Sequence, residues 1–286
     1  MSDPTGHAPG AFDPTRLPRR SGWLFDRFSR YAQWYLGRHF DAVRLLAGGC
    51  DRLAEISTDR PVIVYSNHPS WWDPLIATAV AAACLSGRKT YAPIEAAMLE
   101  KYKVFGRLGF FGIASDSRRG GAAFLRTGDA VLLEPTSERG VPRNAIWITA
   151  EGFFSDPRHR PVELRPGVAH LAARRPEAIV VPVAMEYPFW TERKPEALAA
   201  IGQPIDLREL THNGVDELDV RLAQALQSTM DTLAEPAIAK NPDAFETLVA
   251  GRGGIGGFYD WIRLMGAWAR GRRFDSRHLP ERRHAH

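Results

Sequence analysis

Residues 61–74 read Pro61-Val-Ile-Val-Tyr-Ser-Asn-His-Pro-Ser-Trp-Trp-Asp-Pro74. The first five are a short β-branched and aromatic run, which predicts a buried strand. Asp73-Pro74 has the composition of a helix start, with Asp as N-cap and Pro at the first helical position, and the helix is expected to run to Leu85. Between them lies a polar, aromatic connection that carries His68. A strand followed at once by a helix is the opening of a β–α–β unit. In α/β proteins reactive groups collect just beyond the carboxyl ends of such strands.

Outward from this stretch the alternation continues. Thr90 to Ile94, Phe110 to Ala114, Ala145 to Thr149 and Ala178 to Ala184 read as strands. Ala96 to Phe105, Gly121 to Leu133, Gly167 to Arg174 and Val215 to Leu233 read as helices. The order predicts an α/β fold with a single central, mostly parallel sheet flanked by helices, and basic amphipathic helical segments at the N- and C-terminal ends. No internal repeat interrupts it.

With 286 residues, 44% hydrophobic and 24% charged, the composition excludes a disordered, collagen-like or coiled-coil chain. The two cysteines, Cys50 and Cys84, are too few for a disulfide framework or a four-cysteine zinc site. One bridge between them is conceivable, but so low a count fits a reducing compartment better. Residues 1–20 are rich in Pro, Gly and Arg, lack the apolar core of a signal peptide and are expected to form a mobile arm. No apolar run approaches the roughly 18 residues of a spanning helix.

The net charge of +4 is unevenly spread. Residues 1–47 hold seven Arg against four Asp, and residues 250–286 hold eight Arg against three acids, so the middle is net acidic. Both ends are also aromatic. Leu24, Phe28, Tyr31 and Tyr35 are spaced as one helix face, and Trp261, Leu264, Met265 and Trp268 repeat the spacing in the tail. Aromatic rings favour the membrane–water boundary and Arg is drawn to anionic headgroups, so both segments suit a helix lying in the interface plane. The plainer reading is two amphipathic helices packed on the protein's own core. Nucleic acid ranks lower, because no helix-turn-helix, zinc-finger or RNA-binding signature accompanies the arginines.

His68 and Asp73 carry the chemistry. An imidazole is suited to taking a proton near neutrality. If the turn folds back, the Asp73 carboxylate bonds one ring nitrogen and leaves the other as base. No Gly-x-Ser-x-Gly elbow occurs, so the pair would activate a hydroxyl of the substrate itself. The alternative is structural, with Asp73 a helix cap and His68 a loop residue.

Ser66-Asn-His-Pro-Ser-Trp-Trp-Asp-Pro74, an Asn-His-x4-Asp pattern after an apolar strand, resembles the first motif of the lysophospholipid/glycerolipid acyltransferase family, which includes the 1-acylglycerol-3-phosphate acyltransferases. Gly109-Phe-Phe-Gly-Ile-Ala-Ser-Asp-Ser-Arg118 resembles the second motif and Thr149-Ala-Glu-Gly-Phe-Phe-Ser155 the third. Leu164-Arg-Pro-Gly-Val-Ala-His-Leu-Ala172 resembles a helix start of the family, Val180-Val-Pro-Val183 the fourth motif, and Ile201-Gly-Gln-Pro-Ile205 a downstream strand. The resemblance spans residues 58–210.

The resemblance implies direct acyl transfer from acyl-CoA or acyl-ACP to a lipid hydroxyl, with His68 as general base and Asp73 orienting it. Asn67, Ser115, Arg118, Glu151, Gly152, Phe153 and Phe154 would then lie in the substrate-binding set. Two departures bear on the acceptor. The usual Arg of the second motif falls on Ser115, with Arg118 three residues on, and the usual Thr-Arg of the third motif is Phe153-Phe154. Arg pairs bidentately with phosphate and Phe cannot. A phosphate-free lipid or glycolipid acceptor is therefore an alternative to a lysophospholipid. A catalytically inactive membrane-lipid-binding homologue and thioester hydrolysis are the other readings.

No cofactor or metal is expected beyond the acyl thioester. The expected partners are the thioester donor, acyl carrier protein among its sources, a lipid acceptor and a membrane surface met by the basic aromatic ends, with no nucleic acid. The expected location is peripheral, on the cytoplasmic side of a membrane. The expected division is a mobile arm (1–20), an amphipathic helical segment (21–57), the α/β acyltransferase domain (58–249) and a basic aromatic C-terminal segment (250–286).

Overall fold

The strand expected at 61–65 is β2 (Val62–Ser66), and every one of its residues is buried. A computed structural model describes residues 17–56, 59–114, 117–136, 143–209 and 214–251. In it β2 lies between β5 (Ala145–Thr149) and β6 (Ile179–Glu186), parallel to both. The alternating side chains of these strands supply two cores. Ile63, Tyr65, Ile146, Ile148 and Val180 face one side, and Val62, Val64, Ala145, Trp147 and Val181 the other. This two-sided burial is why residues 61–65 read as a continuous apolar run.

The sheet extends past β5 through β3 (Thr90–Glu95) to β4 (Phe110–Ile113), again in parallel. Past β6 it runs through β7 (Ala197–Ile201) and β1 (Ala42–Leu46) to β9 (Phe245–Ala250), while β8 (Ile205–Asp206) pairs the start of β6. The β6–β7, β6–β8 and β1–β9 joints are antiparallel and the other five parallel, so the sheet is mostly parallel as expected.

Helices cover both faces. On one side lie α6 (Arg118–Leu133), α7 (Gly167–Arg174) and α8 (Val215–Ile238). The spacing of Leu218, Leu222, Leu226, Met230 and Leu233 on α8 seats one stripe on the sheet, and Tyr65 donates its buried hydroxyl to the Leu222 carbonyl at 2.8 Å. On the other side lie α1 (Gly22–His39), α2 (Gly49–Ala54) and α3 (Asp73–Cys84), which bury Leu36, Leu53, Ile76 and Val80.

Several expectations are corrected. Residues 21–57 are not helical throughout, because β1 sits inside the segment with Ala42, Val43 and Leu45 buried between β7 and β9. Tertiary pairing decides this, since five residues show too short a pattern to stand out beside a long helix. The helix expected over 96–105 is two, α4 (Ala96–Lys101) and α5 (Val104–Leu108), separated where Tyr102 leaves helical dihedrals (φ −124°, ψ 73°). The strand expected across 201–205 is interrupted at Gly202-Gln-Pro, where β7 ends and β8 takes up the pairing along the same edge of β6. α6 starts three residues early, because Ser117 caps it by accepting the Gly120 N–H at 2.9 Å.

Cys50 and Cys84 form a disulfide, against the reading of a reduced pair. They sit on α2 and at the end of α3, which pack on the same sheet face and bring the two Cα atoms to 4.8 Å. The tail helix expected around Trp261 to Trp268, the N-terminal arm up to residue 16 and Ser115 lie outside the described residues.

Candidate active site

β2 ends at Ser66, and the chain then crosses the carboxyl edge of the sheet before α3 begins at Asp73. The turn folds back, and His68 Nδ1 lies 2.6 Å from Asp73 Oδ2. The pairing fixes the tautomer. Nδ1–H donates to the carboxylate and Nε2 is left as an acceptor on the open side. Asp73 is the first residue of α3 and not its cap, Trp72 occupying that position. Its carboxylate is 1% exposed and also accepts the Ser70 N–H at 3.1 Å and the Tyr187 hydroxyl at 2.6 Å. The helix N-terminus adds a favourable field for that buried charge.

The loop is clamped from two strands. Asn67 is fully buried, donates its amide to the Met185 carbonyl at 2.9 Å and accepts the Met185 N–H at 2.8 Å, in the manner of one more ladder rung on β6. Glu151, just beyond β5, accepts the backbone N–H of His68 at 2.7 Å, and the Ser155 N–H returns to the His68 carbonyl at 3.1 Å. Burial pushes the Glu151 carboxyl above its ordinary range, opposed by hydrogen bonds from His68 and Ser155. Both Asn67 and Glu151 thus hold the backbone that carries His68. Neither lines the open space in front of it.

That space is a cavity of about 590 Å³. His68, Asp73 and Phe154 line it together with Ala77, Thr78 and Ala81 of α3 and with Tyr91, Phe110 and Phe124. Phe25 and Phe28 of α1 also line it. α1 therefore works on two faces. Ser29, Ala32 and Leu36 are buried, while Trp23, Tyr31 and Trp34 stand more than half exposed on the opposite arc. Arg27 covers the Trp23 ring at 4.8 Å and Arg38 the Trp34 ring at 5.2 Å. The stripe read from the sequence, Leu24, Phe28, Tyr31 and Tyr35, falls on the boundary between these arcs. Tyr31 is exposed and the other three half-buried.

Aromatic rings frame the mouth. Phe154 packs on the His68 ring at 4.4 Å and on Trp71 at 5.0 Å, and Trp71, Phe153 and Phe154 are all exposed. Gly152 turns the chain with φ 72°, and a Cβ there would overlap the Arg165 side chain, which also lines the cavity. Arg118 is exposed at the start of α6 and does not line the cavity, although the next residues of that helix, Gly120 and Gly121, do.

This arrangement suits removal of a proton from a hydroxyl beside an apolar pocket. Residues 50–186, which contain the His68–Asp73 loop, Glu151 and β6, match the family model described as Acyltransferase. Residues 50–186 are thus an acyltransferase-family domain. Its region of resemblance to a solved structure is broader and the likeness loose. The crystal structure of the 1-acyl-sn-glycerophosphate (LPA) acyltransferase PlsC from Thermotoga maritima is 15% identical over 74% of this chain and 78% of that one, with a TM-score of 0.48. No curated protein sequence matches the chain. The expectation of an acyl-transferring enzyme stands on the family match.

Within the acyltransferase fold, the sequence reading missed Tyr187, which lies 114 residues from Asp73 and in no motif read there. It also gave no role to Arg165 or to Phe25 and Phe28. A helical spacing in residues 22–39 was visible, but which rings turn inward depends on how α1 docks. Among the described residues no helix is long and apolar enough to cross a membrane.

Proposed function

We propose that this acyltransferase moves a fatty acyl group from acyl-CoA or acyl-ACP to a hydroxyl of a lysophospholipid or related lipid acceptor, with His68 as general base. The observation that carries the reading is the 2.6 Å His68–Asp73 bond in the wall of an apolar cavity of about 590 Å³. The cavity takes the acyl chain with the thioester carbonyl beside His68. His68 Nε2 removes the hydroxyl proton as that oxygen attacks the carbonyl carbon. Asp73 stabilises the imidazolium that forms. The C–S bond then breaks, and the proton passes from Nε2 to the departing thiolate. No covalent enzyme intermediate arises. The intact dyad in a closed hydrogen-bond network argues against the inactive-homologue reading.

Membrane attachment fits the outward arc of α1. Its exposed Trp23, Tyr31 and Trp34 with stacked Arg27 and Arg38 suit a peripheral location, with lipid reaching the cavity past Phe25 and Phe28. One observation favours the phosphate-free alternative. Phe153 and Phe154 occupy the mouth, and Phe154 lies directly on the catalytic ring.

The test is mass spectrometry of products. Wild type and His68→Ala are incubated with acyl-CoA or acyl-ACP and a panel of phosphate-bearing and phosphate-free lipid alcohols. A new ester made by wild type alone supports the reading, and the acceptor consumed chooses between the two classes. Ester formation by folded His68→Ala removes the general base. Thioester cleavage that ignores every acceptor replaces transfer with hydrolysis.

A further inference from the structure

We propose that Tyr187 is a positioning residue for acyl transfer, its hydroxyl holding Asp73 Oδ1 so that Oδ2 stays on His68 Nδ1. The inference rests on the general-base reading of His68 and deepens it. Tyr187 follows the last residue of β6, and its hydroxyl lies 2.6 Å from Asp73 Oδ1. The two oxygens are thus divided. Oδ2 receives His68 Nδ1–H and the Ser70 N–H, while Oδ1 receives the phenol. The direction of each donor sets the plane of the carboxylate.

The ring itself is held. Tyr187 packs against Phe40 at 5.7 Å, and Phe40 meets Trp72 edge-on at 5.0 Å. Burial, with Asp73 beside it, pushes the phenol well above its ordinary value, so it remains a donor wherever an imidazole can act as base. Asn67 and Glu151 hold the loop backbone, but the described hydrogen bonds of neither reach the carboxylate. Tyr187 is the link between β6 and the charge that orients the base.

Among the described residues, Glu151 lies behind His68 from the β5 side, Arg165 lines the same cavity, and Tyr35 and His39 of α1 pack on Trp72 at 5.8 Å and 5.2 Å. Tyr187→Phe leaves all of them and the ring packing in place and removes one donor. A carboxylate that has lost a donor is more basic and holds an imidazolium more tightly. The base form of the dyad then appears at higher pH.

The experiment compares full-length wild type, Tyr187→Phe and Phe40→Leu by kcat, KM and the pH profile of kcat/KM, with the acceptor identified above. Tyr187→Phe is expected to lower kcat about tenfold, leave the donor KM unchanged and move the acid limb up by about half to one pH unit. Phe40→Leu disturbs the same packing but keeps the hydroxyl. It is expected to lower the thermal midpoint and leave the acid limb where it was. Site-specific 3-fluorotyrosine at 187, a stronger donor on the same ring, moves the limb down and serves if the Phe variant fails to fold. An acid limb unmoved by either hydroxyl change, or moved equally by Phe40→Leu, overturns the proposal. Turnover by His68→Ala would instead overturn the general-base reading beneath it.

Discussion

Asp73→Asn isolates the charge of the dyad from its geometry. Asn is nearly isosteric. Its carbonyl oxygen can replace Oδ2 and accept from His68 and Ser70, and its NH2 can meet the Tyr187 oxygen in place of Oδ1, so the three partners at 2.6, 3.1 and 2.6 Å keep their places. What disappears is a unit negative charge beside the imidazolium of the transition state. With charge centres about 4 Å apart and an effective dielectric of about 20, that attraction is about 4 kcal/mol. At about 1.4 kcal/mol per decade, kcat should fall roughly a thousandfold. The assay is the initial rate of ester formation by mass spectrometry, with free thiol release as a second readout and circular dichroism as the control for folding. A folded variant within about tenfold of wild type would refute the reasoning, because the proton would then not be going to an imidazole that Asp73 stabilises.

Gly152→Ala combines a left-handed φ of 72° with overlap of the Arg165 side chain, so it should cost about 1–3 kcal/mol of stability and displace the loop that carries Phe154. Thermal melts and acceptor KM check both parts. Reduction of the Cys50–Cys84 bridge, which closes a separation of 34 residues, should destabilise the fold by about 3–4 kcal/mol in the chain-entropy account, seen as a lower denaturant midpoint after treatment with a phosphine reductant. Arg60 pairs bidentately with Asp206 and holds its carboxyl down at about 2. Its contribution is present above the ordinary carboxyl value of about 3.9 and is lost as pH falls toward 2, so Asp206→Asn should lower the melting point at neutral pH by about 1 kcal/mol equivalent and converge with wild type in strong acid.

The α/β class was legible because β2, β5 and β6 are buried on both faces and leave unbroken apolar runs, and because α8 repeats leucine or methionine every turn. β1 and the short strand β8 were not, since their identity comes from partners far along the chain. His68 and Asp73 were legible as a pair because both lie in one loop, five residues apart. Glu151 was found through its motif, but its contact with the His68 backbone N–H could not be read there.

The sequence by itself determined the strand–loop–helix that carries the dyad, the alternation that builds the sheet, the aromatic and basic character of α1, and the phenylalanines where the family usually carries Thr-Arg. These are local patterns, and periodicity and side-chain chemistry report them directly. Only the tertiary structure decided that Cys50 meets Cys84, that Phe25 and Phe28 wall the cavity, that Asn67 is a strand clamp, and that Tyr187 holds Asp73. Each of those depends on segments that approach one another only when both faces of the sheet are covered, and no local spacing encodes that approach.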